Sequence, residues 1–463
     1  MALPEWLARC VTYPLHERLR GRRTLQEMKI LEHIATLTPE ALRVECAARL
    51  RALLRFAAQK LPYYAETFAR ARVNPAADDP FVELAKLPVL RKPTVRANAD
   101  RMINPDVAGG LQPGTTGGTS GDTLHFYMDR LMQSQNMGCR LFMQGLHGVR
   151  PGDRRMWLWG SPIESGTARI RRWRDRLINE IVLDAFEMSA PQMDAYLRRI
   201  GSYQPRLVFA YPSAMALLAR HAAGRYRPRD FPWLRLVVLT GDEVSPDHRR
   251  VIADTFGCRV VSEYGAREVG LIAHEFPRGR MHVVSPHVHV EIIQDGEALG
   301  PGRSGAVVCT NLNTRAQPLI RYAPGDVAAL SAAGCDCGLP FPVIEIMGGR
   351  ITGFAALPGG RLCHGHLLAY LVRADKRVVE FRVHQRALDA FEVLLVVDDE
   401  HARAACTGIQ HRFRQRFGPA IKVECRVVKQ IPPDPSGKRR RLISDVATEY
   451  DRFEVVESLE TRP

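Results

Sequence analysis

Apolar residues recur at helical spacing through residues 25–70, most plainly in Leu42-Arg-Val-Glu-Cys-Ala-Ala-Arg-Leu-Arg-Ala-Leu-Leu-Arg-Phe56, and the pattern stops before Leu61-Pro62. A helical N-terminal segment is predicted. From about residue 100 short apolar runs alternate with amphipathic stretches. Residues 207–210 precede Pro212-Ser-Ala-Met-Ala-Leu-Leu-Ala, 234–239 precede His248-Arg-Arg-Val-Ile-Ala-Asp-Thr-Phe, and 259–261 form a third run. This alternation predicts an α/β sheet domain. Residues 283–330 read as β-rich, with strands at 288–293 and 305–310 joined by Gly and Pro. After Gly348-Gly-Arg350 a further unit begins, with strands at 378–383, 391–397 and 423–428 around a helix at 400–417. The boundary is placed near Arg350, dividing the chain into 1–349 and 350–463. No repeat or low-complexity tract interrupts this order.

The length of 463 residues suits two or three folding units. With 46% apolar and 25% charged residues the composition is that of a globular protein, which excludes a mainly disordered chain. No apolar run is long enough to cross a bilayer, and residues 1–23 carry Glu5, Arg9, His16 and Arg18 among their apolar positions. Neither a signal peptide nor a membrane span is expected, although peripheral membrane contact stays open, and the expected location is cytoplasmic. Ten cysteines without a regular framework point the same way, to a reducing compartment.

The formal charge is +15, from 65 Lys and Arg against 50 Asp and Glu. Lysine is scarce, with none between Lys92 and Lys376. The arginines are scattered and the clusters at 169–176 and 438–441 are short, so a solvated basic surface is expected and nucleic acid is not expected as a partner.

The densest chemical signal is Gly114-Thr-Thr-Gly-Gly-Thr-Ser-Gly-Asp122, with four glycines and four hydroxyl side chains in nine residues. Glycines let backbone N–H groups curl around an anion, and hydroxyls add donors to phosphate oxygens. No lysine stands near it, so it is not a nucleotide loop of the Gly-Lys-Ser/Thr kind. By composition alone it reads equally as a linker.

Five later motifs follow in order: Thr240-Gly-Asp-Glu243, Tyr264-Gly-Ala-Arg-Glu268, Arg321-Tyr-Ala-Pro-Gly-Asp326, Gly349-Arg350 and Pro435-Ser-Gly-Lys438. Together with the loop they resemble the adenylate-forming ligases. Leu61-Pro-Tyr-Tyr64, Leu87-Pro-Val-Leu-Arg-Lys92 and Phe209-Ala-Tyr-Pro-Ser213 narrow the resemblance to the phenylacetate-CoA ligase family and its capsule polysaccharide branch, over residues 25–445. The resemblance implies an α/β fold with a large N-terminal AMP-binding domain and a small, mobile α+β C-terminal lid domain. It also implies an ATP-dependent acid-thiol ligase that joins a carboxylic acid, expected to be aromatic, to AMP and then to CoA, acting as a monomer or homodimer.

On that resemblance Thr115, Thr116, Gly117, Gly118, Thr119, Ser120 and Gly121 would hold the outer phosphates of ATP. Glu268 would hold Mg²⁺, and Arg267, where most relatives have threonine, would face the α-phosphate. Tyr264 and Gly265 would pack on adenine beside Gly241, Asp242 and Glu243, while Asp326 would bind the ribose hydroxyls. Arg350 marks the hinge, and Lys438 would reach the reacting carboxylate and α-phosphate. Tyr211, Phe209 and Trp159 are candidates for the acyl pocket, with core packing as the other reading of these rings.

Two departures bear on function. After Arg350 the chain reads Ile351-Thr-Gly-Phe354 in place of an Asp pair, which bears on the second half-reaction. His282, Cys335 and Cys337 resemble three ligands of a structural zinc site whose fourth position is Phe276, with His274 nearby as a substitute. Two other functions remain open: transfer to an amine, a sugar hydroxyl or a carrier-protein thiol, and a non-catalytic nucleotide-binding role in assembly.

Overall fold

A computed structural model describes residues 2–116, 124–160, 175–241, 244–294, 296–348, 354–359, 361–375, 377–431 and 442–446. The N-terminal segment is helical, as its pattern predicts: Thr24–Ile34, Pro39–Lys60 and Pro62–Ala71 follow one another. Proline at the first position of the second and third helices costs nothing, because that N–H has no partner within a helix, and the Thr38 hydroxyl caps Pro39–Lys60 by accepting from Ala41 N at 3.2 Å. Leu31, Leu50, Leu53 and Leu54 are fully buried from these helices.

The strands begin with a hairpin, β1 (Gln112–Thr115) against β2 (His125–Met128). The central sheet contains β3 (Arg155–Trp159), β4 (Glu180–Asp184), β5 (Leu207–Ala210), β6 (Leu236–Leu239), β7 (Arg259–Ala266), β8 (Gly270–Glu275) and β9 (Met281–Val283), in the order β4-β3-β5-β6-β7-β8-β9. The first five are parallel; β8 and β9 add antiparallel. Strands β5 and β6 are apolar on both faces, as a covered parallel sheet requires. Val208, Ala210, Val237 and Leu239 pack under the helices Pro212–Ala222 and Pro246–Phe256, while Leu207, Phe209, Leu236 and Val238 form a smaller cluster on the other face.

The β-rich portion is an antiparallel sheet of β10 (Val288–Gln294), β11 (Glu297–Ala298), β12 (Ser304–Asn311), β13 (Val327–Leu330) and β14 (Ile344–Gly348). It runs past the expected limit of 330 because β14 pairs with β13. The run at 259–261 likewise continues to Ala266, since β8 pairs with its polar second half.

Beyond the boundary region a hairpin of β15 (Phe354–Leu357) and β16 (Arg361–His364) leads into the helix Gly365–Arg373. A sheet of β17 (Glu380–Ala387), β18 (Ala390–Val396), β19 (Lys422–Val427) and β20 (Leu442–Ser444) follows in the order β19-β18-β17-β20, covered by the helix Asp399–Phe417. The mixed α/β N-terminal domain and the distinct α+β C-terminal domain agree with the sequence reading. The apolar interior of the C-terminal sheet, including Phe381, Val393 and Leu395, joins one buried cluster with Leu158, Ala210 and Met215 of the central sheet domain. Among the described residues no helix is long and apolar enough to cross a membrane.

Candidate active site at the strand ends

Open parallel sheets bind ligands beyond the carboxyl ends of their strands, and there the candidate residues meet. Trp159 ends β3, Tyr211 follows β5 and Gly241 follows β6. The Trp159 and Tyr211 rings stack at 3.9 Å with 17° between planes. Gly241 has φ +93°, and a Cβ there would stand 3.0 Å from the Tyr211 ring, so glycine alone keeps this turn close over the aromatic pair. Phe209 is 1% exposed, with its ring 5.7 Å from that of Trp159 and 4.4 Å from that of Trp157 and the Arg140 guanidinium over it, so it backs the aromatic pair from a buried position.

The turn from β7 to β8 carries the polar half of the site. Pairing shifts register between Tyr264 and Gly265, and a Cβ at Gly265 would come within 2.8 Å of the Gly270 carbonyl oxygen, so the bulge needs glycine for backbone packing. The Tyr264 hydroxyl donates to Asp326 Oδ2 at 2.9 Å, joining the residues expected at adenine and ribose. Glu268 is buried, and its Oε1 accepts from the Tyr322 hydroxyl at 2.8 Å. Cys309, paired with Tyr322 through two backbone bonds, lies in the field of both acids: burial pushes its thiol well up, and Asp326 and Glu268 add to the shift.

The neck of the Gly/Thr loop is closed at its base. Thr116 N donates to the Leu124 carbonyl at 2.9 Å, and Leu124 N donates to Thr116 Oγ1 at 2.8 Å. Arg267 donates to the Thr115 carbonyl at 3.0 Å, which attaches the β7–β8 turn to the β1–β2 hairpin. Gly117, Gly118, Thr119, Ser120, Gly121, Asp242, Glu243, Arg350 and Lys438 lie outside the described residues.

The pieces present suit the groups the resemblance implies. A buried carboxylate with one oxygen held by a tyrosine hydroxyl is a hard oxygen ligand suited to Mg²⁺, and the closed neck below a Gly/Thr loop suits a polyphosphate. The zinc set converges but is incomplete. His282, Cys335 and Cys337 place one donor each within 4.8 Å of one another, and His282 Nδ1 is held 3.0 Å from the Phe341 carbonyl oxygen, leaving Nε2 toward Cys337. Phe276, the expected fourth position, offers no donor, and its ring lies edge-on to His282 at 4.4 Å. His274 is not in the group; its Nδ1 lies 2.8 Å from the Glu275 carbonyl oxygen. No closed four-ligand zinc site is formed among the described residues, and the comparisons below lend zinc no support.

Sequence reasoning passed over Tyr322, although it lies inside the quoted Arg321–Asp326 motif, and Arg140, whose guanidinium makes three contacts of 2.7–3.2 Å with Glu263 one residue before Tyr264. It also passed over Arg373, for which no motif gave a signal.

A parallel sheet with a Gly/Thr hairpin loop and a carboxylate-bearing turn at its strand ends, followed by a separate α+β unit, is the architecture of adenylate-forming enzymes. Residues 180–314 match the family described as AMP-binding enzyme, and residues 358–445 match the CapK C-terminal domain. Protein CapK of Staphylococcus aureus is 22% identical over 370 residues, 78% of this chain and 80% of that protein. A phenylacetate-coenzyme A ligase of Pseudomonas putida is 26% identical over 335 residues, 70% and 73% of the two chains. Among solved structures, 2-hydroxyisobutyryl-CoA ligase in complex with 2-HIB-AMP and CoA shares the fold at TM-score 0.58 and 18% identity, covering 93% of this chain and 94% of that one. The chain thus carries an AMP-binding enzyme domain and a CapK C-terminal domain, and with these relatives the matches support an adenylate-forming, phenylacetate-CoA ligase-like, capsule-associated protein.

Proposed function

We propose that the protein is an ATP-dependent carboxylate ligase that forms an acyl- or aryl-adenylate with release of pyrophosphate and then passes the acyl group to the thiol of CoA. The observation that carries this reading is the convergence of Thr115, Thr116, Arg267 and Glu268 with the Tyr264–Asp326 pair around the ends of the parallel strands. In this reading the carboxylate of the acid attacks the α-phosphorus of ATP, pyrophosphate leaves, and the thiol sulfur then attacks the acyl carbon with AMP as the leaving group. The loop and Arg267 stabilise charge on the phosphates. Glu268, oriented by Tyr322, is the residue to hold Mg²⁺, whose chemistry is to neutralise phosphate charge. Trp159 and Tyr211 form an apolar floor suited to an aromatic or other apolar acid. Lys438 is assigned to the adenylation step, as the resemblance implies. Zinc has no part in this reading.

A second reading keeps adenylation and changes the acceptor to an amine, a sugar hydroxyl or a carrier-protein thiol in polysaccharide assembly. The match of residues 358–445 to the CapK C-terminal domain favours it. Both are tested by measuring pyrophosphate release from Mg-ATP over a panel of aryl, fatty and amino acids, with and without CoA, for wild type and Lys438→Ala. Release triggered by one acid and reduced about 10²–10³-fold in Lys438→Ala supports adenylation. A CoA-dependent thioester product then selects the first reading, and adenylate accumulation without one selects the second. ATP binding with no acid-triggered release counts against both.

A further inference from the structure

Glu5–Leu7, the π turn Ala8–Thr12 and Tyr13–Leu19 run on as one helix. The five-residue step of the π turn sets both of its faces. Ala8, Tyr13 and Glu17, five and four positions apart, are buried. Trp6, Val11, Leu15 and Leu19, at steps of five, four and four, are 65%, 48%, 52% and 78% exposed. In a regular helix Trp6 would fall in line with Cys10 rather than Val11, out of register with the other three.

The helix cannot roll to bury this stripe, because its inner side is fixed. Arg9 pairs with Asp153 at 2.7 Å and donates from Nε to the Pro151 carbonyl at 3.0 Å, and Leu3 N donates to Asn179 Oδ1 at 2.8 Å. Tyr13 packs with Leu141 and Ile178, and the Arg9 backbone lies so close to Gly152 that a Cβ there would come within 2.5 Å of the Arg9 nitrogen. Among the described residues twelve large apolar side chains are exposed, and four of them form this stripe, a concentration that marks a contact surface.

The charge around the stripe has one sign. Residues 2–23 hold five arginines and two glutamates. Glu5 lies 3.3 and 3.4 Å from Arg154 and Arg206, and Glu17 is buried and accepts from the Thr24 hydroxyl. Arg18, Arg20 and Arg23, at and beyond the end of the helix, are exposed. A second copy docked about a two-fold axis would set a surface of one sign against itself, and four apolar side chains fall far short of the about 20–30 residues a side of a stable interface. A bilayer with anionic headgroups meets both features: apolar side chains enter the acyl boundary, tryptophan favours the interface, and arginines face the headgroup charge.

We propose that the outer face of the helix over residues 5–19 is a reversible docking surface for a membrane carrying anionic phospholipid. The inference does not rest on the adenylate-forming reading, since neither nucleotide nor acid takes part in it.

The test is flotation of the full chain with vesicles of phosphatidylcholine alone and of phosphatidylcholine with about one third phosphatidylglycerol, with thermal unfolding followed for every variant. Wild type should partition onto the anionic vesicles at least about tenfold better than onto the neutral ones, and Trp6→Ser/Leu19→Ser, which leaves the charge unchanged, should lose at least about tenfold of that binding. Val11→Ser/Leu15→Ser carries the same test if the first pair does not fold. Arg18→Gln/Arg20→Gln should lose about tenfold, and raised salt should weaken wild type in the same direction. Brominated acyl chains should quench a part of the tryptophan emission that Trp6→Phe removes. Binding to anionic vesicles that both serine pairs leave intact would reduce the contact to bulk charge and overturn the proposal. So would folded wild type that binds no vesicle, or a dimer that Trp6→Ser/Leu19→Ser dissociates in place of vesicle binding.

Discussion

Tyr322→Phe removes one oxygen atom and isolates what the tyrosine does for Glu268. Tyr322 is fully buried and Glu268 is 8% exposed, with 2.8 Å between their oxygens, so water cannot readily replace the lost donor. A hydrogen bond to an ionised group is worth about 1.5–3 kcal/mol, and leaving the acceptor unsatisfied adds to the loss. The backbone of Tyr322 exchanges bonds of 2.7 and 2.8 Å with Cys309, which phenylalanine retains, so the strand-like pairing should survive. The consequence for function is larger than for stability. If Glu268 is the magnesium ligand, loss of the group that orients it should weaken the metal about 10- to 100-fold. The assay is titration of Mg²⁺ against ATP binding for wild type, Tyr322→Phe and Glu268→Gln, with urea unfolding as a check on the fold. The expected result is a Mg²⁺ requirement shifted upward in Tyr322→Phe and lost in Glu268→Gln. A Tyr322→Phe curve that overlays wild type while Glu268→Gln fails would refute the orienting role. If Glu268→Gln also overlays wild type, the assignment of Glu268 to magnesium falls with it.

Three further outcomes follow from the same physical arguments. Arg140→Met strands the Glu263 carboxylate, which is 2% exposed; breaking a buried pair costs about 3–5 kcal/mol, and partial exposure of Arg140 moves the expectation to the lower end, while the double variant Arg140→Met/Glu263→Leu should recover most of the loss in a urea-unfolding cycle. Phe276→Cys supplies the missing fourth ligand beside His282, Cys335 and Cys337 and should raise bound zinc, by elemental analysis, to about one ion per chain from a substoichiometric level in wild type. Burial holds His287 down to about 3, and His147 and His289 to about 4, so the unfolded chain takes up protons at these positions before the folded one does; unfolding midpoints should be level above about pH 6.5 and fall as the pH drops toward 4, with His287→Gln giving a shallower fall and an unchanged slope refuting its contribution.

Much of the fold was legible because its strongest features are periodic. The run at 207–210 is β5, the helix expected to start at Pro212 does so, and the helix expected at 400–417 is Asp399–Phe417. Boundaries drifted where pairing, rather than composition, decides the end of a strand: β7 extends through the polar Ser262-Glu-Tyr-Gly because β8 supplies hydrogen-bond partners. The hairpin β15–β16 was missed, since two four-residue strands offer little alternation to count. Tyr264, Glu268, Asp326 and Thr115, singled out by motif, lie at the strand ends, and Phe209 is a buried ring against Trp159. A strand that is apolar on both sides does not reveal how deep each of its rings lies.

The residues that no motif revealed lie where two parts of the chain meet, and this has a physical reason. Tyr322 matters through Glu268, 54 positions away, and Arg373 through Thr116, 257 positions away. Such contacts are set by topology, so no local pattern encodes them. The same seam limits how the C-terminal domain can rotate. Besides Arg373 at Thr116, the Phe186 ring meets Tyr370 at 5.6 Å, Arg416 pairs with Glu187 at 3.0 Å, and Glu187 bridges Cys363 through the backbone. Any swing about the boundary must release these contacts and part of the buried cluster shared by the two domains.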